Sequence, residues 1–304
     1  MAANQNSATG IAVEHTLDWR APDITAILQR ALEEDLGTGD LTTDAVFSQP
    51  VPALASFVAN EIAILAGLPA AARVYELLDS SANFLALMPE GTMVSRGRRL
   101  AEVRGDARAL LKGERVALNF LQRLSGIATL TRRYVARIEG TKAKIRDTRK
   151  TTPGLRALER YAVRVGGGAN HRMGLWDAIL IKENHSDLAG GVAEAVRRAR
   201  RVHGHRQVIQ VEARDEAEVR AALEAGADAI LLDNMSPEQV KLAVELISGR
   251  AWVEASGGIR LENVRAYAET GVDYLAIGAL THSAPAADIA LDVVLEPPAG
   301  AEAT

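Results

Sequence analysis

The sequence predicts an α/β protein with two regions, an N-terminal α/β sandwich and a C-terminal α/β barrel. The main observation is a regular alternation of six short apolar runs with helical patterns after residue 142. Short βα units of this kind predict a parallel sheet with right-handed crossovers. Six units without a long break favour a barrel, incomplete or closed, over an open sheet. A second observation is that residues 53–103 show strand-like runs around one helix, which predicts the sandwich.

The composition excludes several classes of protein. The chain has 304 residues, 48% of them hydrophobic, so it can bury a large core. Its formal charge of −4 argues against nucleic-acid or membrane-surface binding through bulk charge. The lack of cysteine excludes disulfides, thiolate zinc sites and cysteine nucleophiles, and fits a cytoplasmic protein. No apolar run has transmembrane length, and no signal-peptide pattern is present. We expect residues 1–16 and 297–304 to be disordered.

The N-terminal region begins with a predicted helix at residues 22–36, where apolar residues recur at three- and four-residue spacing. A second helix is predicted at 69–78, and strands are predicted at 54–59, 62–66, 83–88 and 99–103. A hairpin turn is expected at Asn60-Glu61. One long helical pattern covers 111–138, with a candidate break at Ser125-Gly126. Arg115 lies near its start, and its pattern alone indicates a solvated surface charge.

The barrel region follows with six predicted strands, at 143–145, 178–181, 208–211, 229–232, 252–254 and 274–277. Helices are predicted at 155–165, 188–202, 215–225, 237–247 and 261–270. The central strands are continuous apolar runs, as expected for strands covered on both faces.

Cationic residues follow the first two barrel strands. Arg149 and Lys150 come after the first, and Lys182 comes directly after the second; His171 and Arg172 lie between these strands along the chain. In parallel α/β architectures the carboxyl ends of the strands form the active site. Because the net charge is negative, this basic cluster is local, and it predicts a small polyanionic ligand.

Two carboxylates and a glycine-rich turn follow the later strands. Glu212 and Asp233 either balance the basic cluster or hold Mg²⁺, which takes one or two carboxylates plus substrate phosphate oxygens. Ser256-Gly257-Gly258 precedes a predicted helix, and Gly278 follows the last strand. A simple connecting turn would also explain these glycines, but their position on the last two strands favours a phosphate site.

Lys182 and His171 allow a second interpretation. A lysine at a barrel strand end can be a Schiff-base nucleophile, and the same lysine can equally bind phosphate. His171 could be a general base, but Arg172 beside it favours anion binding.

Seven motifs carry a resemblance to a known family and together cover the chain from about residue 23 to 292. They read ALEEDLGTGDLTTDAV, ERVALNFLQRLSGIATLT, DTRKTTPGLR, GGGANHRMGLWDAILIKENH, ILLDNM, EASGGI and GVDYLAIGALTHS. With these motifs the chain resembles the quinolinate phosphoribosyltransferases, the carboxylating nicotinate-nucleotide pyrophosphorylases. The resemblance implies an N-terminal α/β sandwich and a C-terminal open, incomplete α/β barrel. We expect the sandwich at 17–117, with 285–296 returning to it, and the catalytic barrel at 118–284.

The resemblance also implies a reaction, in which quinolinate and phosphoribosyl pyrophosphate give nicotinate mononucleotide, pyrophosphate and carbon dioxide with Mg²⁺ as cofactor. Quinolinate is expected to contact Thr148, Arg149, His171 and Arg172, with Arg115 contributed by the partner of a homodimer that could assemble further. Lys150, Lys182, Glu212 and Asp233 are the expected catalytic residues, the two carboxylates holding the metal directly or through water. The residues expected to bind the 5′-phosphate are Ser256, Gly257, Gly258, Ile277, Gly278, Ala279 and His282.

One position departs from the family pattern. The third barrel strand often reads Val-Glu-Val-Glu in the family, whereas this chain has Ile209-Gln210-Val211-Glu212. The spacing to Asp233 favours Glu212 as the functional carboxylate, and Gln210 leaves open whether a supporting charge is lost. Three alternatives stay open: a paralogous phosphoribosyltransferase of molybdenum-transport gene clusters, a Schiff-base lyase using Lys182, and a nucleotide-sensing protein without turnover.

Overall fold

The computed structural model describes residues 17–296, which form two compact units. The first unit, called the sandwich unit, comprises residues 17–130, 152–166 and 284–296; the second, called the barrel unit, comprises residues 131–151 and 167–283. This division differs from the expected domain boundary at 117/118, because the sandwich unit keeps more of the long helix and also holds 152–166. The tails expected to be disordered, 1–16 and 297–304, lie outside the described residues.

The helices, in chain order, are α1 (Pro22–Leu36), α2 (Leu41–Val46), α3 (Leu68–Leu78), α4 (Ala107–Arg137), α5 (Arg156–Val165), α6 (Glu183–Ala189), α7 (Val192–His203), α8 (Glu216–Glu224), α9 (Pro237–Ile247), α10 (Val264–Ala268) and α11 (Ala279–His282). The strands are β1 (Pro52–Ala59), β2 (Ala63–Ile64), β3 (Asn83–Ala86), β4 (Met93–Val94), β5 (Arg99–Asp106), β6 (Lys144–Arg146), β7 (Ile179–Ile181), β8 (Ile209–Ala213), β9 (Ala229–Asp233), β10 (Trp252–Ser256), β11 (Tyr274–Ala276) and β12 (Ile289–Leu295).

The sandwich unit is built on a four-stranded antiparallel sheet in the order β12-β1-β5-β3. Alternate residues of β1 are buried, which is the pattern of a strand with one face on a core. Tyr75 of α3 packs against Phe57 of β1 with ring centroids 6.3 Å apart. The hairpin expected at Asn60-Glu61 is wrong, since β1 pairs with β12 and β5 while β2 pairs with β4.

Helix α4 is continuous through Ser125-Gly126, so the candidate break there is wrong. The glycine is explained by packing, because a Cβ on Gly126 would lie 1.9 Å from the carbonyl oxygen of Pro285. Only glycine lets the returning C-terminal segment pass this close to the helix within the sandwich unit.

The barrel unit contains a six-stranded parallel sheet in the order β6-β11-β10-β9-β8-β7. The two edge strands, β6 and β7, are not paired with each other among the described residues, so the barrel is open, as expected. Every residue of β8 is buried. Ile209, Val211 and Ala213 lie on one face of the strand, and Gln210 and Glu212 lie on the other. The polar face is the barrel interior, where the candidate site lies.

Two predicted barrel helices differ from the structure. The helix expected at 188–202 is replaced by α6 and α7, separated by Gly190 and Gly191, whose φ angles are 93° and 116°. Left-handed backbone of this kind interrupts a right-handed helix. The helix expected at 261–270 is reduced to the five residues of α10. No helix among residues 17–296 combines the length and apolar character needed to cross a membrane.

Candidate active site

The loop after β6 carries Arg149 and Lys150, and both side chains are exposed. The hydroxyl oxygen of Thr148 accepts a hydrogen bond from the backbone N–H of Lys150, with 3.1 Å between the nitrogen and the oxygen. The hydroxyl of Thr281 donates to the carbonyl oxygen of Lys150 at 2.8 Å. The loop after the first barrel strand is therefore held against the segment that follows the last strand.

Residues 169–172 are fixed by a buried carboxylate that the sequence pattern did not single out. Asp147 is fully buried and accepts from the Asn170 amide and from the His171 backbone N–H, both at 2.6 Å. Arg172 is also buried and donates to the carbonyl oxygen of Ala178 at 2.9 Å. Burial, followed by the positive charge of Arg149, lowers the pKa of Arg172. The loop thus presents a desolvated guanidinium beside an exposed one.

His171 belongs to this loop, and its two ring nitrogens both lie near protein groups. Its Nδ1 accepts the Arg172 backbone N–H at 2.7 Å, and its Nε2 lies 3.5 Å from Oε1 of Glu254. Burial lowers the pKa of His171 to about 4. The ring is therefore neutral at physiological pH, and since Nδ1 is an acceptor, its proton is on Nε2.

Lys182, at the end of β7, forms an ion pair with Glu212 of β8. The pairing follows from strand register, because Ile181 lies opposite Val211 on the neighbouring strand. The carboxylate side chain is 4% exposed and the lysine side chain is 44% exposed. The buried acid therefore holds an ammonium group at the edge of the barrel interior.

Asp233 and Glu212 lie on the same face of adjacent strands. Glu212 is in register with Leu231, two residues before Asp233. Oδ2 of Asp233 accepts from the amide of Asn234 at 2.6 Å. No group of three or more histidine, cysteine or carboxylate side chains that could hold a metal occurs within residues 17–296. Two carboxylates on one face fit a hydrated Mg²⁺ that is also bound by substrate oxygens, and do not form a cage of protein ligands alone.

The turn after β10 requires glycine at two positions. Gly257 and Gly258 have φ angles of 89° and 63°, where residues with a Cβ are rare. A Cβ on Gly257 would also lie 2.2 Å from the Asn234 side-chain oxygen. Positive φ angles at two successive residues and close backbone packing are thus fixed in the turn next to Ser256, where the sequence predicts a phosphate cradle. The helix expected to begin near Leu261, directly after this turn, is wrong. Helix α10 begins only at Val264 and has five residues.

The segment after β11 closes this edge of the site. The backbone N–H of Ile277 donates to the carbonyl oxygen of Arg146 at 2.9 Å, and Gly278 and Ala279 lead into α11. His282 is exposed at the end of that helix, and its Nδ1 lies 2.6 Å from the hydroxyl of Ser283. The expected phosphate residues thus follow the ends of two neighbouring strands: Ser256, Gly257 and Gly258 at the end of β10, and Ile277, Gly278 and the α11 residues Ala279 and His282 after β11.

Arg115 belongs to the other unit, where it is exposed on α4. It is therefore not among the residues that the barrel strands bring together. The remaining expected site residues all belong to the barrel unit.

Two buried charged residues of the interior, Arg146 and Glu254, were missed as functional candidates. Arg146 and Glu254 form an ion pair of 2.7 Å, and Gln210 donates to the same carboxylate at 3.1 Å. The sequence held a signal for both residues, because side chains two positions apart in a strand lie on the same face. Arg146 is two residues before Thr148, and Glu254 is two residues before Ser256, so each is expected on the face of a predicted site residue. Gln210, whose role the sequence left open, supports Glu254 with an uncharged donor.

Both parts of the chain match one protein family. Residues 40–125 match the N-terminal domain of quinolinate phosphoribosyl transferase, and residues 127–292 match its C-terminal domain. A probable nicotinate-nucleotide pyrophosphorylase (carboxylating) of Bacillus subtilis is 46% identical over 269 residues, which cover 88% of this chain and 93% of that protein. The nicotinate-nucleotide pyrophosphorylase (carboxylating) of Mycobacterium leprae is 44% identical over 272 residues, covering 88% of this chain and 95% of that protein.

Solved structures agree with this match. The crystal structure of NadC from Streptococcus pyogenes is 40% identical, with a TM-score of 0.89 over 93% of this chain and 100% of that chain. The nicotinate-nucleotide pyrophosphorylase from Francisella tularensis is also 40% identical, with a TM-score of 0.86 over 90% of this chain and 96% of that chain. The similarity therefore includes both units.

Proposed function

Because the chain belongs to the quinolinate phosphoribosyltransferase family, we propose that it transfers the phosphoribosyl group of phosphoribosyl pyrophosphate to quinolinate. The products are nicotinate mononucleotide, pyrophosphate and carbon dioxide, and the reaction supplies NAD biosynthesis. The enzyme is a pentosyltransferase.

The observation that carries this function is the buried guanidinium of Arg172. Its Nε has no hydrogen-bond partner among residues 17–296, although it is inaccessible to solvent. A buried donor without an acceptor is costly, and a carboxylate ligand would satisfy it. Arg149 adds a second guanidinium nearby, and together they fit the two adjacent carboxylates of quinolinate. Thr148 and His171 line the same part of the site in this proposal.

The phosphoribosyl pyrophosphate occupies the other half of the site. Lys150 and Lys182 pair with its phosphates, and the turns at Ser256–Gly258 and Ile277–Ala279 bind the 5′-phosphate through backbone N–H groups, with His282 beside them. Glu212 and Asp233 face the ribose and the metal. Mg²⁺, when bound to the substrate and these carboxylates, supplies positive charge that neutralises the pyrophosphate.

The chemistry needs positioning and charge stabilisation more than covalent catalysis. The pyridine nitrogen of quinolinate attacks the anomeric carbon, and the bond to the pyrophosphate oxygen breaks through an oxocarbenium-like transition state. The lysines stabilise the leaving pyrophosphate. The pyridinium adduct then loses its 2-carboxylate as carbon dioxide, because the electron pair left on that ring carbon is stabilised by the adjacent positive nitrogen. A proton replaces the carboxylate at that carbon.

We further propose a homodimer in which Arg115 completes the site of the partner subunit. Its exposure on α4 supports this proposal, because a residue shared across an interface must be accessible in the single chain. An isologous dimer would use Arg115 twice. The lack of cysteine is in keeping with a cytoplasmic location.

A Schiff-base lyase is less well supported by the site. The Lys182 side chain forms an ion pair with the buried carboxylate of Glu212, whereas a Schiff-base lyase needs a lysine that is free to attack a carbonyl carbon. The two relatives described above are named as pyrophosphorylases, and they match this chain over 88% of its length.

The test is to incubate the purified protein with quinolinate, phosphoribosyl pyrophosphate and Mg²⁺. We expect equal amounts of nicotinate mononucleotide and carbon dioxide, and loss of both products without Mg²⁺ or in Lys150→Ala. Nicotinate, which lacks one carboxylate, should be a very poor substrate, since each charge-assisted contact contributes about 1.5–3 kcal/mol. Tight binding of phosphoribosyl pyrophosphate without turnover would instead indicate a binding protein, and similar kcat/KM for both acids would contradict the quinolinate assignment.

A further inference from the structure

The barrel interior contains an ion pair that the reaction described above does not use. The side chains of Arg146 and Glu254 are 1% and 2% exposed. Burying two charges is costly, and apolar residues of similar volume are often equally stable. A buried pair directly beneath a substrate site therefore suggests a role that requires the charge itself.

The two oxygens of Glu254 have different surroundings. Oε2 accepts from Arg146 Nη1 at 2.7 Å and from Gln210 Nε2 at 3.1 Å. Oε1 has no hydrogen-bond partner among the described residues, and it lies 3.5 Å from Nε2 of His171. One oxygen thus anchors the carboxylate, and the other faces the histidine.

The histidine is held from its other side. Its Nδ1 accepts the Arg172 N–H, so the neutral ring carries its proton on Nε2, the nitrogen that lies 3.5 Å from Oε1 of Glu254. Arg146 also donates to the carbonyl oxygen of Asn170 at 3.1 Å. The ion pair therefore approaches the loop at residues 169–172 twice, through Arg146 at Asn170 and through Glu254 at His171.

On the basis of the proposed function, we propose that Glu254 is a positioning residue for quinolinate. It orients the His171 ring in the Nε2-protonated tautomer, and through Nδ1 the ring orients the backbone that carries Arg172. We expect the 3.5 Å separation between Nε2 and Oε1 to shorten on quinolinate binding.

A carboxylate is required at this position because both oxygens must be acceptors. In Glu254→Gln, the two donors at Oε2 force the amide oxygen to that side, and the amide N–H₂ then faces the Nε2–H of His171. Two N–H donors would then face each other. If the ring carried its proton on Nδ1 instead, that Nδ1–H would face the backbone N–H of Arg172, again donor against donor. Glutamine at position 210 fits the same arrangement, because it donates to Glu254 without adding a second negative charge.

Glu254, Arg146, Arg172 and Lys182 act electrostatically on the His171 ring, and Asp147 accepts a hydrogen bond from the His171 backbone N–H. Of the four groups that act on the ring, Glu254 is an anion and the other three are cations, so Glu254 favours a ring that donates. Removing its charge should therefore act on the ring and not on the phosphoribosyl half of the site.

The experiment compares wild type with Glu254→Gln and with Glu102→Gln, a matched change at a buried carboxylate paired with Arg99 in the sandwich unit. For Glu254→Gln we expect the KM for quinolinate to rise about tenfold, or about 1.4 kcal/mol. The KM for phosphoribosyl pyrophosphate and kcat should change less than about threefold. Glu102→Gln should match wild type. An unchanged quinolinate KM in folded Glu254→Gln overturns the proposal.

A second readout needs no substrate. ¹⁵N NMR of the imidazole nitrogens, with the His171 signals identified by their loss in His171→Gln, should show one Nε2-protonated tautomer in wild type. In Glu254→Gln this pattern should be lost, and its retention overturns the proposal. Because the measurement is made without substrate, it tests Glu254 even if the protein forms no nicotinate mononucleotide and the proposed function fails.

The variant pair Arg146→Met with Glu254→Leu covers the case in which Glu254→Gln does not fold. It removes both buried charges and replaces them with apolar groups. The quinolinate KM should remain raised in this double variant. A return to the wild-type KM would mean that the ion pair only stabilises the fold, and it would overturn the positioning role.

Discussion

Gly278 lies so close to Lys150 that a Cβ on the glycine would be 3.1 Å from the lysine Cδ. The same Cβ would be 3.1 Å from Nε2 of His282. Glycine at this position thus leaves room for two side chains that we assign to the phosphoribosyl half of the site. The close approach leads to a direct prediction.

Gly278→Ala should displace Lys150 without unfolding the protein, because the neighbouring atoms belong to flexible side chains. We expect kcat/KM for phosphoribosyl pyrophosphate to fall by about ten- to a hundredfold, the range for small misplacements of catalytic groups. Steady-state kinetics and thermal unfolding measure the two effects. Gly105→Ala is the control, since its Cβ would have only ordinary 3.6 Å contacts. Wild-type kinetics in Gly278→Ala would show that Lys150 does not need this position.

Glu212→Ala and Asp233→Ala should lower turnover far more than quinolinate affinity. Both carboxylates lie on the phosphoribosyl and metal side in our proposal, so kcat should fall by about a hundredfold or more. Equilibrium titration with quinolinate should give a dissociation constant near that of wild type. Glu216→Ala, which removes an exposed partner of Arg220, is the matched control. If quinolinate binding is lost while turnover at saturation survives, the two halves of the site are assigned the wrong way round.

Arg115 should act in the partner subunit. Arg115→Ala and Lys150→Ala are each expected to be inactive as homodimers. After subunit exchange, half of the dimers are hybrids in which one site has both residues, so activity should return to about a quarter of wild type. Activity is measured before and after mixing, with exchange monitored by differently tagged subunits. Demonstrated exchange without recovered activity would make Arg115 an ordinary surface charge.

His171 should make the protein less stable in mild acid. Its pKa is about 4 when folded, against 6.5 for an unperturbed histidine, so the unfolded chain binds more protons between these values. Stability should therefore rise with pH through this window, by up to about 3 kcal/mol from this group alone. Urea unfolding at pH values of about 4.5 and 7.5, near the two ends of the window, measures the effect. His171→Asn should show a smaller difference between the two pH values than wild type, and His203→Asn, at an exposed histidine, should not.

The fold class and most of the candidate site could be predicted from the sequence. Periodicity indicated the six barrel strands because strands covered on both faces are continuous apolar runs. Position at the strand ends indicated Lys182, Glu212 and Asp233, since parallel strands bring their carboxyl ends to one edge. The helix predicted at 188–202 was wrong because Gly190 and Gly191 interrupt an otherwise helical pattern. The hairpin predicted at Asn60-Glu61 was wrong because β1 pairs with strands that are distant in sequence.

The contacts inside the barrel became visible only in three dimensions. Arg146, Gln210 and Glu254 lie 44 to 108 residues apart in sequence, and their hydrogen bonds depend on strand register, which no local pattern specifies. Tertiary packing likewise explains Gly126, where a distant carbonyl excludes a side chain. The residue types that we propose for the chemistry can be predicted locally, whereas the buried contacts beside them arise when distant segments share one interior.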